Sequence, residues 1–144
     1  MGTFETFDHT ADVGLVIRAD SFEDLLATAA RATFDQMLED WPAEVEVLTE
    51  VAARCASGLE CDRSELLVVW LQELLYRFDT ERLVPLTFEF YSVGPGEIRA
   101  GVGFGKFDPQ RHRTRLEIKA VTYHGLEVRR QADGTWSARF ILDV

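Results

Sequence analysis

The sequence is poor in basic residues, with 15 lysines and arginines against 25 aspartates and glutamates among 144 residues. The resulting net charge of −10 opposes direct binding to a phosphate backbone, because the long-range field repels it. Such a surface suits cations or a partner protein with a basic face. The segment DPQRHRTR departs from this pattern, and we expect either a solvated loop or a contact for a phosphate or an acidic surface; its basic residues are Arg111, His112, Arg113 and Arg115.

Long apolar runs are also missing. No stretch approaches the roughly 20 residues of a membrane helix, and the N-terminal MGTFETFDHT lacks the basic start and apolar core of a secretory signal. These features predict no membrane association and a cytoplasmic location. The sequence has no Gly-rich phosphate loop, because the short GVGFG at residues 101–105 has no helix predicted after it. We therefore expect no nucleotide site in this chain.

Cysteine is scarce, with Cys55 and Cys61 six positions apart. Neither has a nearby histidine or further cysteine to complete a zinc set. The sequence therefore predicts two reduced thiols, as is usual inside cells, with a redox pair as the alternative.

The patterns that are present indicate one domain over residues 1–144, long enough to fold without a disulfide or a metal. A strand is predicted at 13–18, a helix opened by Ser21, a strand at 44–54 and a second helix opened by Asp62. Alternating segments at 86–90, 98–102, 116–120, 126–128 and 136–142 follow as strands. We predict an α+β two-layer sandwich, with two helices packed on one face of a largely antiparallel sheet.

The two ends of the chain carry aspartates beside strands. Asp12 precedes the first predicted strand, and Asp143 follows the last one, next to the terminal Val144. If these strands are antiparallel neighbours, the carboxylates meet, and their repulsion favours a hard divalent cation with oxygen ligands. A simple role for Asp12 in capping the strand entry remains the alternative.

Four separated motifs resemble those of the archease family, in the same order and at similar distances: DHTADVG, LLVVWLQELLY, IKAVTYHGLEV and the terminal ILDV. The resemblance covers nearly the whole chain and implies the same α+β fold. It also implies a non-catalytic protein that activates the RtcB-type RNA ligase, which joins RNA ends in tRNA splicing and RNA repair.

The resemblance further implies a divalent cation, calcium, held by Asp12, Asp143 and Val144. It places His9 beside this site, as a supporting or a structural residue, and it gives Lys119 a part in activation. Strand alternation predicts that Lys119 lies in mid-strand, on the face opposite Ile118. In one departure from the family, Gly105 is followed by Lys106, where a Gly-Glu pair is common.

The expected function is promotion of guanylylation of the ligase's active-site histidine and of its repeated turnover. RNA would be contacted only indirectly, and GTP would belong to the ligase. A metal-dependent hydrolase, with His9 as base, is one alternative. A chaperone-like binding module, which would need an exposed apolar patch, is the other.

Overall fold

The computed structural model describes residues 2–9, 12–56 and 60–144, with the backbone alone for Asp8 and His9. Seven strands and two helices are formed within these ranges. In chain order they are β1 (Thr3–His9), β2 (Asp12–Ala19), α1 (Phe22–Met37), β3 (Val47–Arg54), α2 (Arg63–Glu81), β4 (Leu83–Val93), β5 (Glu97–Lys106), β6 (Ala120–Arg130) and β7 (Trp136–Asp143).

The strands form two antiparallel sheets. One has the order β1-β2-β7-β6, and the other has the order β3-β5-β4. Each helix contacts both sheets, so the helices bind the sheets into one unit. The predicted α+β class with antiparallel strands is confirmed, whereas the sequence did not predict that the strands divide between two sheets.

Both helices begin where the sequence predicts. The Ser21 hydroxyl accepts a hydrogen bond from the Asp24 amide at 3.0 Å, and the Asp62 carboxylate accepts one from the Glu65 amide at 2.8 Å. These side chains satisfy amides that have no partner within the helix, so they fix where each helix starts. α2 ends at Glu81 and is capped by Arg82, which adopts the left-handed conformation and donates its amide hydrogen to the Phe78 carbonyl at 2.9 Å.

A single hydrophobic core joins the helices to the inner faces of the strands. In β2, Leu15 and Ile17 are fully buried, whereas Val16 and Arg18 between and after them are more exposed. In β7 the alternating residues Ala138, Phe140 and Leu142 are buried, and Ile141 is buried as well. Trp70 of α2 lies at the centre, and its indole N–H donates to the Leu26 carbonyl of α1 at 3.0 Å. Within the described residues, neither helix combines the length and apolar character needed to cross a bilayer.

Residues 3–9 form a strand for which the sequence gives no prediction, because its apolar residues do not alternate cleanly. Two local predictions need correction. Residues 116–119 lie outside any strand, because β6 starts pairing with β7 only at Ala120. The expected pair of reduced thiols is also wrong, since the sulfurs of Cys55 and Cys61 are bonded in the structure.

Candidate metal centre

The first and last strands predicted from the sequence correspond to β2 and β7, which are neighbours in the four-stranded sheet. β2 and β7 are antiparallel, with Val13 opposite Leu142. Asp12 begins β2 and Asp143 ends β7, so the same register brings these two residues opposite each other. Residues directly opposite in an antiparallel pair project to the same face, with Cβ atoms about 5 Å apart. Both aspartates are half-buried. We call this edge, with Asp12, Asp143 and Val144, the carboxylate end.

The C-terminus is held in place at this end. Val144 is half-buried and packs against the core. Asp143 lies opposite Ala120 of β6, and its carbonyl accepts a hydrogen bond from the Lys119 amide at 2.8 Å. The terminal residues are therefore fixed between β2 and the start of β6.

His9 reaches the same edge through its backbone. β1 and β2 form an antiparallel pair in which His9 lies opposite Asp12. The Thr10 and Ala11 positions of the HTAD motif lie outside the described residues. A supporting role of the His9 side chain stays a prediction.

Lys119 does not lie in mid-strand, where the sequence predicts it. It precedes β6 instead of standing in mid-strand, and its side chain is exposed. Its amide bond to the Asp143 carbonyl places it next to the carboxylate end. The reason is the register of β6 and β7. Ala120 lies opposite Asp143, the last residue of β7, so Lys119 has no residue of β7 to pair with. Ile118, next to it, is buried at 3% exposure, so the two side chains differ in environment as the alternation predicts.

The C-terminus of α1 lies close to the segment that precedes β6. The carbonyl of Met37, the last residue of α1, accepts a hydrogen bond from the Arg115 amide at 2.7 Å, and three residues separate Arg115 from Lys119. Neither helix has a basic residue in its last turn, although Arg82 places a positive charge at the end of α2 as its capping residue. The negative end of the α1 dipole therefore faces the segment before β6.

A cavity of about 330 Å³ lies between the C-termini of the two helices and residues 114–118, and no sequence pattern predicts it. It combines apolar walls with charged residues of both signs. The lining residues are Met37, Phe78, Asp79, Arg82, Thr114, Leu116, Glu117 and Ile118.

The basic loop is attached to the end of α1. The Arg113 carbonyl accepts from the amides of Glu39 and Asp40, and its own amide donates to the Asp40 carboxylate at 2.9 Å. The Asp108 amide donates to Nδ1 of His112 at 2.9 Å. A cavity of about 410 Å³ beside Arg111 also contains Glu44, Glu46 and Asp108, so this is not a purely cationic surface.

The GVGFG segment belongs to β5, and its glycines make room for side chains that cross the sheet surface. A Cβ on Gly101 would lie 2.3 Å from the Tyr91 hydroxyl, and one on Gly103 would lie 2.3 Å from the Thr87 hydroxyl. The glycines therefore serve close packing within the three-stranded sheet.

The donors at the carboxylate end suit a hard cation. The two aspartates and the terminal carboxylate offer only oxygen atoms, as Ca²⁺ prefers. Two side chains alone do not enclose an ion, and the carboxylate of Val144 offers a third donor at this edge. Among the described residues, one group of three His, Cys, Asp or Glu side chains has its ligand atoms within 4.8 Å of one another, and it is Cys55, Cys61 and Glu65 at another place in the fold.

Comparison with known proteins gives a consistent result. The sequence matches the Archease protein family (MTH1598/TM1083) over residues 4–144. It is 39% identical to protein archease of Methanopyrus kandleri, over 98% of this chain and 99% of that protein. It is 33% identical to protein archease of Sulfolobus acidocaldarius, over the full length of both.

A solved structure supports the same assignment. The fold is similar to the solution structure of Methanobacterium thermoautotrophicum protein 1598, with a TM-score of 0.74 and 33% sequence identity, and 98% of each chain is covered. Sequence and fold agree over nearly the whole length, and the chain therefore belongs to the archease family.

Proposed function

We propose that this protein is a non-catalytic activator of an RtcB-type RNA ligase, and that it uses a divalent cation, calcium, at the carboxylate end. The proposed effect is to promote guanylylation of the ligase's active-site histidine and the ligase's repeated turnover. Family membership supports the general assignment. The observation that carries the site is the register of β2 and β7, which brings Asp12 and Asp143 to one edge of the sheet.

In this proposal Asp12, Asp143 and the terminal carboxylate of Val144 hold the cation. When bound, the ion would neutralise carboxylates that otherwise repel each other. The chain itself supplies rigidity, because Asp143 is held by β2 on one side and by the Lys119 amide on the other. Lys119 is exposed beside this edge and is available to contact the partner.

The charge distribution supports a protein partner over direct RNA binding. The net charge of −10 repels a phosphate backbone, and the basic loop lies among Asp40, Glu44 and Glu46. RNA would therefore be contacted through the ligase. In this proposal the protein binds no nucleotide of its own, because its glycine-rich segment lies within β5 and side chains of β4 fill the space beside Gly101 and Gly103.

The test compares RNA ligation by the cognate ligase with wild-type protein and with Asp143→Asn. We expect the variant to lose most stimulation of multiple turnover while its thermal unfolding changes little, because a half-buried terminal side chain carries little core packing. Asp133→Asn, in the β6–β7 turn, is the matched control and should stimulate normally. Full stimulation by Asp143→Asn with calcium present would refute the site, and phosphoester turnover by the protein alone would favour the hydrolase.

A further inference from the structure

The bonded cysteines lie at the opposite end of α2 from the carboxylate end. Cys55 directly follows β3, and Cys61 directly precedes Asp62, the residue that caps α2. The 19 residues of α2 span about 28 Å, and its far end adjoins the cavity beside residues 114–118. The cysteines, which we call the thiol pair, therefore form a feature separate from the proposed metal centre.

Both cysteines are held by the same turn, independently of their sulfur bond. The Cys55 amide donates to the Gly96 carbonyl at 3.0 Å, and the Cys61 amide donates to the Pro95 carbonyl at 2.7 Å. Their Cα atoms are 6.4 Å apart, within the range that a disulfide requires. The thiols would therefore stay next to each other after reduction, which gives a high effective concentration for re-forming the bond.

We expect the fold to persist when this bond is reduced. The core is continuous through both helices and both sheets. The closed loop has a sequence separation of only six, and short loops gain the least from a cross-link in the chain-entropy account. A bond with this placement can open without loss of the domain.

The two cysteine residues differ in exposure. Cys55 is 3% exposed, whereas Cys61 is half-buried and borders an open surface depression with Glu60 and Pro95. Thiol–disulfide exchange requires an incoming thiolate or disulfide to reach one sulfur along the bond axis. Cys61 is therefore the sulfur that an external reagent meets first.

We propose that Cys55 and Cys61 form a reversible redox site, with Cys61 as the exchanging sulfur. In oxidation by a small disulfide such as glutathione disulfide, the Cys61 thiolate attacks one sulfur and releases one glutathione thiolate. The Cys55 thiolate then attacks the Cys61 sulfur and releases the second. Two electrons pass from the thiol pair to the glutathione disulfide, and the protons of the two cysteines go to the released thiolates or to solvent.

The first experiment equilibrates the whole protein in glutathione buffers of graded composition, with EDTA, and then counts free thiols by alkylation and mass spectrometry. We expect both thiols to disappear together in one two-electron transition within the series. A bond that persists in excess reduced glutathione, or thiols that persist in excess glutathione disulfide, would overturn the proposal. A repeat without EDTA and with added zinc must give the same transition, because stoichiometric zinc that blocks oxidation would assign a metal site instead.

The second experiment tests the role of Cys61. Cys55→Ser leaves Cys61 alone, and Cys61→Ser leaves Cys55 alone. We expect Cys61 to react with glutathione disulfide at least about tenfold faster than Cys55, because of its greater access. Equal or reversed rates in folded variants, judged by circular dichroism, would contradict the assignment.

Glu65 provides a further check, because its carboxylate oxygen lies within 4.8 Å of both sulfurs. Its negative charge opposes a thiolate, so adding Glu65→Gln to Cys55→Ser should raise the reaction rate of Cys61 roughly threefold at low salt. Glu89→Gln in the same background, on β4, should leave the rate unchanged. The same rate for both double variants would show that Cys61 does not react in the position that the structure gives it. None of these measurements involves the ligase or calcium, so their outcome is independent of the proposed function.

Discussion

Replacing Lys119 by alanine should strengthen calcium binding at the carboxylate end while it weakens ligase stimulation. The Lys119 amide is bonded to the Asp143 carbonyl at 2.8 Å, and the side chain is exposed beside that residue. An ammonium group there repels a divalent cation. A mid-strand position, as the sequence predicts, would have left calcium affinity nearly unchanged.

The size of the effect follows from Coulomb's law. A single positive charge and a divalent cation about 10 Å apart in water repel each other by about 0.8 kcal/mol, or about fourfold in affinity. At physiological ionic strength the Debye length is about 8 Å, and the repulsion falls to about 0.2 kcal/mol. The expected change is therefore visible at low salt and nearly absent at physiological salt.

Isothermal titration with calcium at both salt concentrations measures this change. Lys119→Arg keeps the charge and should bind calcium like the wild type. The chain has one other lysine, Lys106, at the end of β5 in the other sheet, so Lys106→Ala is a matched control with a smaller expected effect. Weaker calcium binding by Lys119→Ala, or equal gains in both alanine variants, would refute the reasoning.

Two further predictions concern the fold. A Cβ on Gly14 would lie 2.2 Å from ring atoms of Phe7, so Gly14→Ala should lower the free energy of unfolding by about 1–3 kcal/mol, as measured in urea titrations. Gly94→Ala is the control: its Cβ would lie 3.8 Å from the nearest atom, so the free energy of unfolding should fall by less. The hydrogen bond and charge of Arg54 hold the pKa of Glu97 below its usual 4.5, so its ion pair stabilises the fold above that pH and is lost as the pH falls through the lowered value. Carboxyl NMR titration should give a Glu97 midpoint below 4.5, and a midpoint at or above 4.5 would contradict the pairing.

The elements that the sequence predicts well are those with local causes. Ser21 and Asp62 each place an oxygen three residues before an amide that the helix leaves unpaired, and the structure contains both bonds. The alternation from Leu15 to Ala19 in β2 likewise follows from one buried face. Such patterns depend on neighbours along the chain, so one sequence is enough to detect them.

The features that the sequence predicts poorly depend on partners that are far away along the chain. Lys119 lies in a stretch that alternates well, yet β7 ends before that stretch can pair. β1 exists because β2 offers it a free edge, although its own pattern is weak. Cys55 and Cys61 come together through the turn at 94–97, which is more than thirty residues away from both. Pairing partners of this kind cannot be identified from spacing alone.

The chain ends are an exception, because the sequence predicts that Asp12 and Asp143 lie close together although they are far apart along the chain. This prediction required only that the first and last predicted strands be antiparallel neighbours, and β2 and β7 are so paired. The thiol pair shows the opposite case, since nothing near Cys55 indicates its partner turn. The two features also differ in chemistry: oxygen donors favour hard cations, whereas thiols exchange with disulfides. Because about 28 Å of helix separates them, oxidation of the thiols should leave calcium affinity unchanged, and a shift in that affinity between oxidised and reduced protein would show that α2 couples its two ends.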